Sequence, residues 1–482
     1  MHRAGRSRTP DGIRRGAQSA HRAPDGRVGW LSEARRSTVH RAERWTRNHE
    51  LDLDLLSLPD FSGLTSVQRR ARQLLARLPW PDSSDEDWRY TPWSALLPPE
   101  WGGQEARAPE SVSRQLPLVE FPQSCRPYWE SDGFLLLAQE DREGFPTSNL
   151  RVTAGLDGPV APWLDSILEK SKDRFDALAL ATLRRVVWIQ VPGQSVFGGP
   201  LVIVRPESDG LWDSTATRVD LGAGSRGTLL VLDGHPRQDG VDYGVDLTEI
   251  RLERGAQWTV VFLQVFGPAS RRLQRARLVF DSGAEAQLIR LDLGGAIAKV
   301  ETTLHFAGEG AKATFRGIVI LSRGQHVEVD TLQNHAARGN RSDLLVKSVI
   351  GDRSVAIHRG RIWIHKDAHG SDAYQANRNV LLSHEGRVHS IPMLDIEAND
   401  VRCSHGSATG PLDEQQVFYL RTRGLSEVEA RRLILQGFLL AELESSDLGR
   451  WSSALEAAMT AKLDSVLAGS PEGAEAQGAE SL

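Results

Sequence analysis

Four segments of the chain share one pattern, a glycine turn followed by an apolar run: GSRGTLLVL (224–232), GAQWTVVFL (255–263), GAEAQLIRL (283–291) and GAKATFRGI (310–318). Their first glycines lie 31, 28 and 27 residues apart. Repeats of roughly 20–50 residues that combine turns with strands are typical of a solenoid or a propeller. A propeller blade needs about 40 residues and four strands, which exceeds this spacing. The repeat therefore predicts a parallel β-helix in which each coil stacks on its neighbour.

Helical patterns precede the repeats. Apolar residues recur at helical spacing over 65–78, and a second helical stretch is expected near 162–183. Between them, Trp88, Tyr90 and Trp93 lie in a loop and are expected to anchor it to a core instead of binding a ligand. No strong helix pattern separates the strands of the repeats, which argues against a doubly wound sheet or an α/β barrel.

A helix pair is expected after the last strands. The stretch LSEVEARRLILQGFLLAELE (425–444) begins with a capping box formed by Ser426 and Glu429, and a second helix is predicted near 452–467. The apolar residues of the first helix cover more than one face. Such a pair either caps the solenoid or provides a partner interface, and composition alone does not separate the two.

The expected fold class is therefore mainly β, a parallel β-helix core flanked by N-terminal and C-terminal α-helical regions. The expected organisation is a disordered Arg-rich extension (1–48), a mixed helical region (49–184), the β-helix core (185–410), a C-terminal helical region (411–468) and a disordered tail (469–482).

Charge and cysteine content exclude several classes of protein. The 482 residues carry a net charge of −5, and the first fifty alone carry twelve Arg and five acidic residues. The rest is mildly acidic, which argues against a nucleic-acid-binding protein with a broad basic face. The sequence has two cysteines, too few for a disulfide framework. No apolar run reaches the roughly 18–20 residues of a transmembrane helix, so we expect a cytoplasmic protein that does not enter a membrane.

The start of the chain leaves one alternative open. Methionine occurs only at Met1, Met393 and Met459. A start codon other than ATG, at some position before Leu51, is therefore an alternative to translation of the whole Arg-rich segment.

Candidate metal-binding side chains lie between residues 358 and 405, where six of the fourteen histidines fall. Cys403 and His405 are two residues apart, so a strand would place both side chains on one face. A thiol and an imidazole suit iron or zinc. The alternative is a buried small cysteine beside a hydrogen-bonded core histidine. His365 and His369 are expected at the surface.

Motifs of common enzymes are missing from the sequence. It contains no phosphate-binding loop of the G-x-x-x-x-G-K-[ST] type, no G-x-S-x-G elbow and no H-E-x-x-H helix. We therefore expect no bound nucleotide and no catalytic residues. A carbohydrate-active enzyme with a β-helix fold is an alternative on fold grounds alone.

The last third of the chain resembles the SufB/SufD family of iron–sulfur cluster assembly proteins. The resemblance is carried by three segments, DAYQANRNVLLS (372–383), LDIEANDVRCSHGSATG (394–410) and LDEQQVFYLRTRGLS (412–426). Upstream, LPWPDSSDEDWRYTPW (78–93) resembles the SufD branch. The resemblance implies a right-handed parallel β-helix in a non-catalytic subunit that pairs with SufB and recruits the SufC ATPase.

The resemblance also implies roles for single residues. His405 is the expected ligand of a transient iron–sulfur cluster or iron shared with SufB, with Cys403 as a secondary candidate. The sulfur-accepting thiol of SufB falls near Asn377 here, so this chain is expected to accept no sulfur at that position. Pro411 departs from the family pattern and is expected to bend the exit from the last strand. Arg323 and Arg359 are taken as ordinary surface positions.

SufC is expected to dock on the C-terminal helices. The residues expected to form that surface are Leu433, Ile434, Phe438, Leu439 and Leu443. A subunit that only braces SufB, with no ligand of its own, remains the main alternative.

Overall fold

The structure is a computed structural model. It describes residues 65–81, 84–99, 125–131, 134–139, 150–171, 173–206, 212–234, 242–444, 448 and 451–468. The segments 1–48 and 469–482, which we expected to be disordered, lie outside these residues. Within the described ranges, no helix is long and apolar enough to cross a bilayer.

The described residues form six α-helices and nineteen strands. The helices are α1 (Ser66–Leu75), α2 (Ala161–Glu169), α3 (Arg174–Ala181), α4 (Glu414–Thr422), α5 (Glu427–Glu444) and α6 (Trp451–Ala468). The strands are β1 (Cys125–Ser131), β2 (Phe134–Gln139), β3 (Arg151–Ala154), β4 (Arg185–Val191), β5 (Leu201–Pro206), β6 (Trp212–Leu221), β7 (Arg226–Gly234), β8 (Tyr243–Leu252), β9 (Gln257–Val265), β10 (Arg271–Phe280), β11 (Glu285–Asp292), β12 (Ile297–Phe306), β13 (Lys312–Leu321), β14 (His326–His335), β15 (Arg341–Ile350), β16 (Val355–Ile364), β17 (Asp372–Leu381), β18 (Arg387–Ile396) and β19 (Arg402–Pro411).

The strands build two sheets. Sheet A contains β1, β2 and the odd-numbered strands from β5 to β19, and sheet B contains β3 and the even-numbered strands from β4 to β18. The pairings of β1, β2 and β3 are antiparallel, whereas β4 pairs with β6 in parallel and the later strands continue so to β18 and β19. Successive strands alternate between the sheets, so each coil contributes one strand to each sheet. The predicted parallel β-helix flanked by helices is confirmed.

Left-handed glycines hold the coils in register. Gly224, Gly255, Gly283 and Gly310 have φ values of 67°, 67°, 66° and 68°. A side chain at such a φ strains the backbone, and glycine adopts it freely. The sequence repeat thus marks the turns that precede β7, β9, β11 and β13 of sheet A. Left-handed glycines also precede two strands of sheet B, Gly295 before β12 and Gly324 before β14.

Helices cover the outer face of each sheet. The interior between the sheets is filled by one continuous apolar cluster that runs from Leu136 to Ala356. Helices α1 to α3 pack on the outer face of sheet B, where they bury Val245 and Leu247. Helices α5 and α6 pack on the outer face of sheet A, over Val261 and Ile318. Each sheet therefore has apolar side chains packed on both faces, against the other sheet inside the solenoid and against helices outside it.

Two helix boundaries differ from the sequence prediction. The stretch predicted near 162–183 is two helices, because the Asp173 side chain accepts a hydrogen bond from Phe175 N (2.9 Å) and starts α3 anew. Helix α4 was not predicted. It begins where the Asp413 side chain caps Gln415 N (2.9 Å), and its nine residues are too short for a clear apolar period.

A loop that we call the strap, residues 85–96, crosses the outer face of sheet B. Near one end Ala95 O accepts a hydrogen bond from Arg271 of β10 (3.2 Å). Midway along the loop the Tyr90 ring lies 5.4 Å from the His389 ring of β18. The strap thus links the coils near the helices with the last coil. Its Trp88 is buried and stacks on Phe175, as expected for an anchoring aromatic residue.

Arg359 was wrongly predicted to lie at the surface. Its side chain is 3% exposed and lies beneath the strap, 2.7 Å from Asp87 and 3.1 Å from Asp330. Lys299 joins the same network, 2.9 Å from Glu328 and 2.7 Å from Asp330. The partners of Arg359 lie far away in sequence, so no local pattern indicates its burial.

We predict that Arg359→Met destabilises the fold by about 3–5 kcal/mol, because it leaves buried carboxylates with one cation fewer. Asp87→Asn removes the exposed partner of the same arginine and should cost at most about 1 kcal/mol. Urea unfolding of both variants measures this difference. Equal effects of the two substitutions would contradict the buried network.

His335 gives the fold a specific sensitivity to acid. The ring is buried, its Nε2 lies 2.8 Å from Ser342 Oγ, and burial lowers its pKa to about 4. Because the unfolded chain takes up this proton near pH 6.5, stability is lost as the pH falls from 6.5 towards 4. One such histidine lowers the free energy of unfolding by about 2 kcal/mol between pH 7 and pH 5.

The matching experiment compares wild type with His335→Gln by urea unfolding at pH 7 and pH 5. Glutamine keeps a hydrogen-bonding group for Ser342 and does not titrate. The variant should lose about 2 kcal/mol less than wild type over this interval. Identical losses would show that the histidine takes up its proton equally well in the folded protein.

Candidate functional site

The candidate site lies at the open end of the solenoid. Strands β19 and β18 are the outermost strands of sheets A and B at this end. Every side chain of β18 and β19 retains some exposure, whereas β15 and β16 are largely buried. The outer edge of each terminal strand carries backbone groups without a further strand to pair with, and such edges are ready to bind another chain.

Cys403 and His405 lie together on β19. They are the register partners of Ala373 and Gln375 on β17, and their i, i+2 spacing places both on one face of the strand. Cys403 is half-buried beside an apolar cluster that includes Ile362. Burial raises the pKa of its thiol, so the thiol keeps its proton at neutral pH. His405 is exposed.

His405 ends a long column of stacked side chains. Across successive strands of sheet A, each residue of this column pairs in register with the next: Leu201, Leu229, Val260, Leu288, Phe315, Leu344, Gln375 and His405. The first six belong to the interior cluster between the sheets. The column is therefore apolar until its last two positions, where an amide and an imidazole replace hydrocarbon.

Asn377 occupies the position where the family resemblance places a thiol in SufB. Its side chain is buried and donates to Val346 O (3.2 Å). Asn379 donates to Asn377 Oδ1 (2.6 Å) and to Thr409 Oγ1 (3.0 Å), which ties β17 to β19. Asn377 thus has a structural role in the wall of the last coils and offers no sulfur nucleophile.

Two other histidines of this region have partners of their own. His365 is half-buried, stacks on Trp363 and lies 2.7 Å from Asn334 Oδ1. His389 lies under the strap on the outer side of β18. Among the described residues, no three His, Cys, Asp or Glu side chains are grouped closely enough to hold a metal ion. His405 is therefore a single exposed donor.

The residues predicted for partner docking separate into two groups. Leu433 is 51% exposed, and Ile434 and Phe438 are partly buried. Leu439 and Leu443 are fully buried between α5, α6 and sheet A, where they cannot contact a partner while the helix stays packed. Of the five residues predicted for docking, Leu433, Ile434 and Phe438 are therefore accessible, and Leu439 and Leu443 are not.

Two exposed aromatic residues lie on a helix that was not predicted. Phe418 and Tyr419 of α4 are 68% and 57% exposed. Arg423 lies over the Tyr419 ring, at 5.2 Å from its centroid. In the sequence, these two adjacent aromatic residues within a polar segment could have indicated an interaction site. Neighbouring large side chains that both stay exposed are typical of an interaction site.

A separate groove of about 650 Å³ runs along the outer face of sheet A. Its carboxylates are paired, Glu285 with Lys312 (2.5 Å) and Asp343 with Arg316 (3.0 Å). A glycosidase needs one carboxyl group held as an acid near a second carboxylate. Ion-paired surface carboxylates do not form such a pair, so this groove gives no support to the carbohydrate-active alternative.

The sequence matches one family model, described as the SufBD core domain of SUF system FeS cluster assembly, over residues 206–438. The match covers the coils from β6 to β19 and continues into α5.

Curated relatives agree with this match. An "iron-sulfur cluster assembly SufBD family protein" of Mycobacterium leprae is 33% identical over 201 residues, 40% of this chain and 51% of that protein, so the match spans about half of the relative. A protein with the same description from Mycobacterium tuberculosis is 27% identical over 366 residues, 74% of this chain and 83% of that protein. The "iron-sulfur cluster assembly protein SufD" of Escherichia coli is 23% identical over 398 residues, 77% of this chain and 86% of that protein.

We predict unequal stability losses for substitutions of two leucines of α5. Leu439→Ala should cost about 2–5 kcal/mol because it opens a cavity between helix and sheet. Leu433→Ala removes an exposed side chain and should change the free energy of unfolding by no more than about 0.5 kcal/mol. Urea titration of both variants tests this, and a large loss in Leu433→Ala would place that residue in the core.

Proposed function

We propose that this chain, which matches the SufBD core domain of SUF system FeS cluster assembly over residues 206–438, is the SufD-like subunit of a cluster assembly scaffold. In this role it pairs with SufB, docks the SufC ATPase and lends His405 to the nascent cluster. It acts in the cytoplasm as a scaffold without catalytic residues of its own. The observation that carries the proposal is the position of His405, exposed on the last coil at the open end.

Four features support the SufD branch. The segment Cys403–Gly406 has the SufD-like form CSHG, and Asn377 leaves no thiol at the position of the SufB sulfur acceptor. The protein named SufD in Escherichia coli matches most of this chain. The strap, whose sequence resembles the SufD branch, reaches the last coil through Tyr90.

The open end is the proposed surface for SufB. Free edges of β18 and β19 allow a second solenoid to add its own strands, and strand addition uses backbone hydrogen bonds that any matching edge supplies. Exposed Tyr374 (40%) and Ile396 (43%) add apolar surface on the strands of this end. Pairing there would bring His405 to the boundary between the two subunits.

The proposed SufC surface is formed by Phe418, Tyr419 and Leu433, with Ile434 and Phe438 at its margin. Large exposed aromatic residues are the usual anchors of protein interfaces. Leu439 and Leu443 contribute indirectly, since they fix α5 on sheet A. The chain itself binds no nucleotide in this proposal, because ATP is bound by SufC.

His405 would bind iron through one ring nitrogen. A neutral imidazole is required for that bond, so acid weakens it. One histidine supplies one ligand, and SufB would supply the others across the interface. The cluster is cargo that forms there and leaves, and Cys403 is a secondary candidate for a ligand because its thiol is protonated.

The test is co-expression of this chain with SufB and SufC, anaerobic purification, and analysis of iron and sulfide. We expect His405→Ala to form the same complex with a cluster content at least several-fold lower than wild type. Phe418→Ser combined with Leu433→Ser should instead release SufC and leave the pairing with SufB intact.

The outcomes separate the rival functions. A stable complex of His405→Ala with unchanged cluster content would leave a bracing subunit with no ligand of its own. Failure of the wild-type chain to bind SufB or SufC would refute the scaffold proposal as a whole.

A further inference from the structure

The column that ends at His405 contains a buried amide with an unpaired oxygen. Gln375 is 2% exposed, and its Nε2 donates to Gly360 O of β16 (3.0 Å), so the side chain spans the interior from sheet A to sheet B. Its Oε1 has no hydrogen-bond partner. A buried carbonyl oxygen without a partner costs about 1–3 kcal/mol.

The neighbours of this amide leave it little freedom. A Cβ atom placed on Gly360 would lie 2.3 Å from Gln375 Oε1 and 3.1 Å from His358 Cε1. Glycine at this position therefore makes room for the amide. His358 Nε2 is itself 3.3 Å from Thr331 Oγ1. Gln375, Gly360 and His358 together form a polar floor beneath the last coil.

Packing does not explain a glutamine here. Leu344 fills the same position one coil below, and the column is apolar over its five earlier members. An apolar residue would fill the space without an unpaired oxygen. The backbone of Gln375 is the register partner of His405 on the next strand, about 5 Å away, while its amide reaches across the interior to Gly360. Gln375 thus presents an unused acceptor in the coil next to the one that bears the candidate ligand.

We propose that Gln375 is the positioning residue of His405. Its Oε1 accepts a hydrogen bond from one ring N–H when the imidazole turns into the last coil on pairing with SufB. That bond fixes a single neutral tautomer and directs the other ring nitrogen, with its lone pair, towards iron. Metal-binding histidines are commonly held in this way by an acceptor on the second nitrogen. The inference rests on the proposed ligand role and adds the residue that orients it.

The test compares Gln375→Leu with a matched control, Gln333→Leu. Gln333 is also fully buried in the solenoid and both of its amide atoms are unpaired. Its column pairs it with Leu304 and Ile362, away from His405. Both substitutions replace a buried amide that has at least one unpaired atom by the leucine found elsewhere in the interior. Gln333→Leu should fold at least as stably as wild type. Gln375→Leu also loses the bond to Gly360 O, so its stability should be close to that of wild type.

Two measurements on the complex with SufB follow. The ring nitrogen signals of ¹⁵N-histidine, assigned with His405→Gln, report the tautomer of His405. Titration with Fe²⁺ alone reports affinity. Gln375→Leu should convert one dominant tautomer of His405 to a mixture and weaken Fe²⁺ binding about 10–100-fold, whereas Gln333→Leu should change neither.

The results that would contradict this inference differ from those that would contradict the ligand role of His405. Unchanged ring signals and Fe²⁺ affinity in Gln375→Leu would overturn the inference, as would equal changes in both variants. If Gln375→Leu does not fold, Gln375→Met keeps the length of the side chain without its oxygen and is measured in its place. A changed tautomer in Gln375→Leu together with unaltered Fe²⁺ binding in His405→Ala would uphold the hydrogen bond and reject the ligand role.

Discussion

The structure depends on parallel pairing between successive coils. Each strand from β5 to β17 in sheet A, and from β6 to β16 in sheet B, has a neighbour on both sides. Its backbone groups are satisfied by coils earlier and later in the chain, and its inward side chain stacks on the one before it. The last coil has no successor. The edges of its strands and its inward-facing side chains contact solvent or a partner. The candidate site consists of these unpaired strand edges and uncovered side chains.

The interior also holds paired charges, which lie away from the open end. Arg272 is 2% exposed and lies 2.9 Å from Asp242 and 2.8 Å from Asp246. Buried ion pairs add little net stability, since desolvation offsets the attraction. They penalise any change of register, because a shifted strand would leave a buried charge unpaired. Apolar columns and paired charges therefore both hold the coils in one alignment up to the last coil.

The features that depend on residues close together in the sequence were predicted correctly from the sequence alone. The left-handed glycines predicted the solenoid, and the Ser426–Glu429 capping box correctly placed the start of α5, where Glu429 N lies 3.3 Å from Ser426 Oγ. Features created by distant contacts were missed. Arg359 is buried by Asp87, which lies 272 residues away, and no period along β16 indicates it.

The candidate site was only partly predictable. The two-residue spacing of Cys403 and His405 gave their common strand face, and the family resemblance alone selected His405. The unpaired oxygen of Gln375 could not have been found, since it results from stacking on β16 and β19. Likewise, the burial of Leu439 depends on how α5 lies against sheet A, whereas the helix pattern shows only that the residue is apolar.

The central claim is that the open coil at β18 and β19 is the docking surface for SufB, and that His405 lies at the junction. Hydrogen–deuterium exchange of the chain alone and with SufB tests it most directly. The account predicts new protection of amides in residues 387–396 and 402–411 when SufB binds. Protection confined to other parts of the chain, with both terminal strands exchanging as in the free protein, would contradict it.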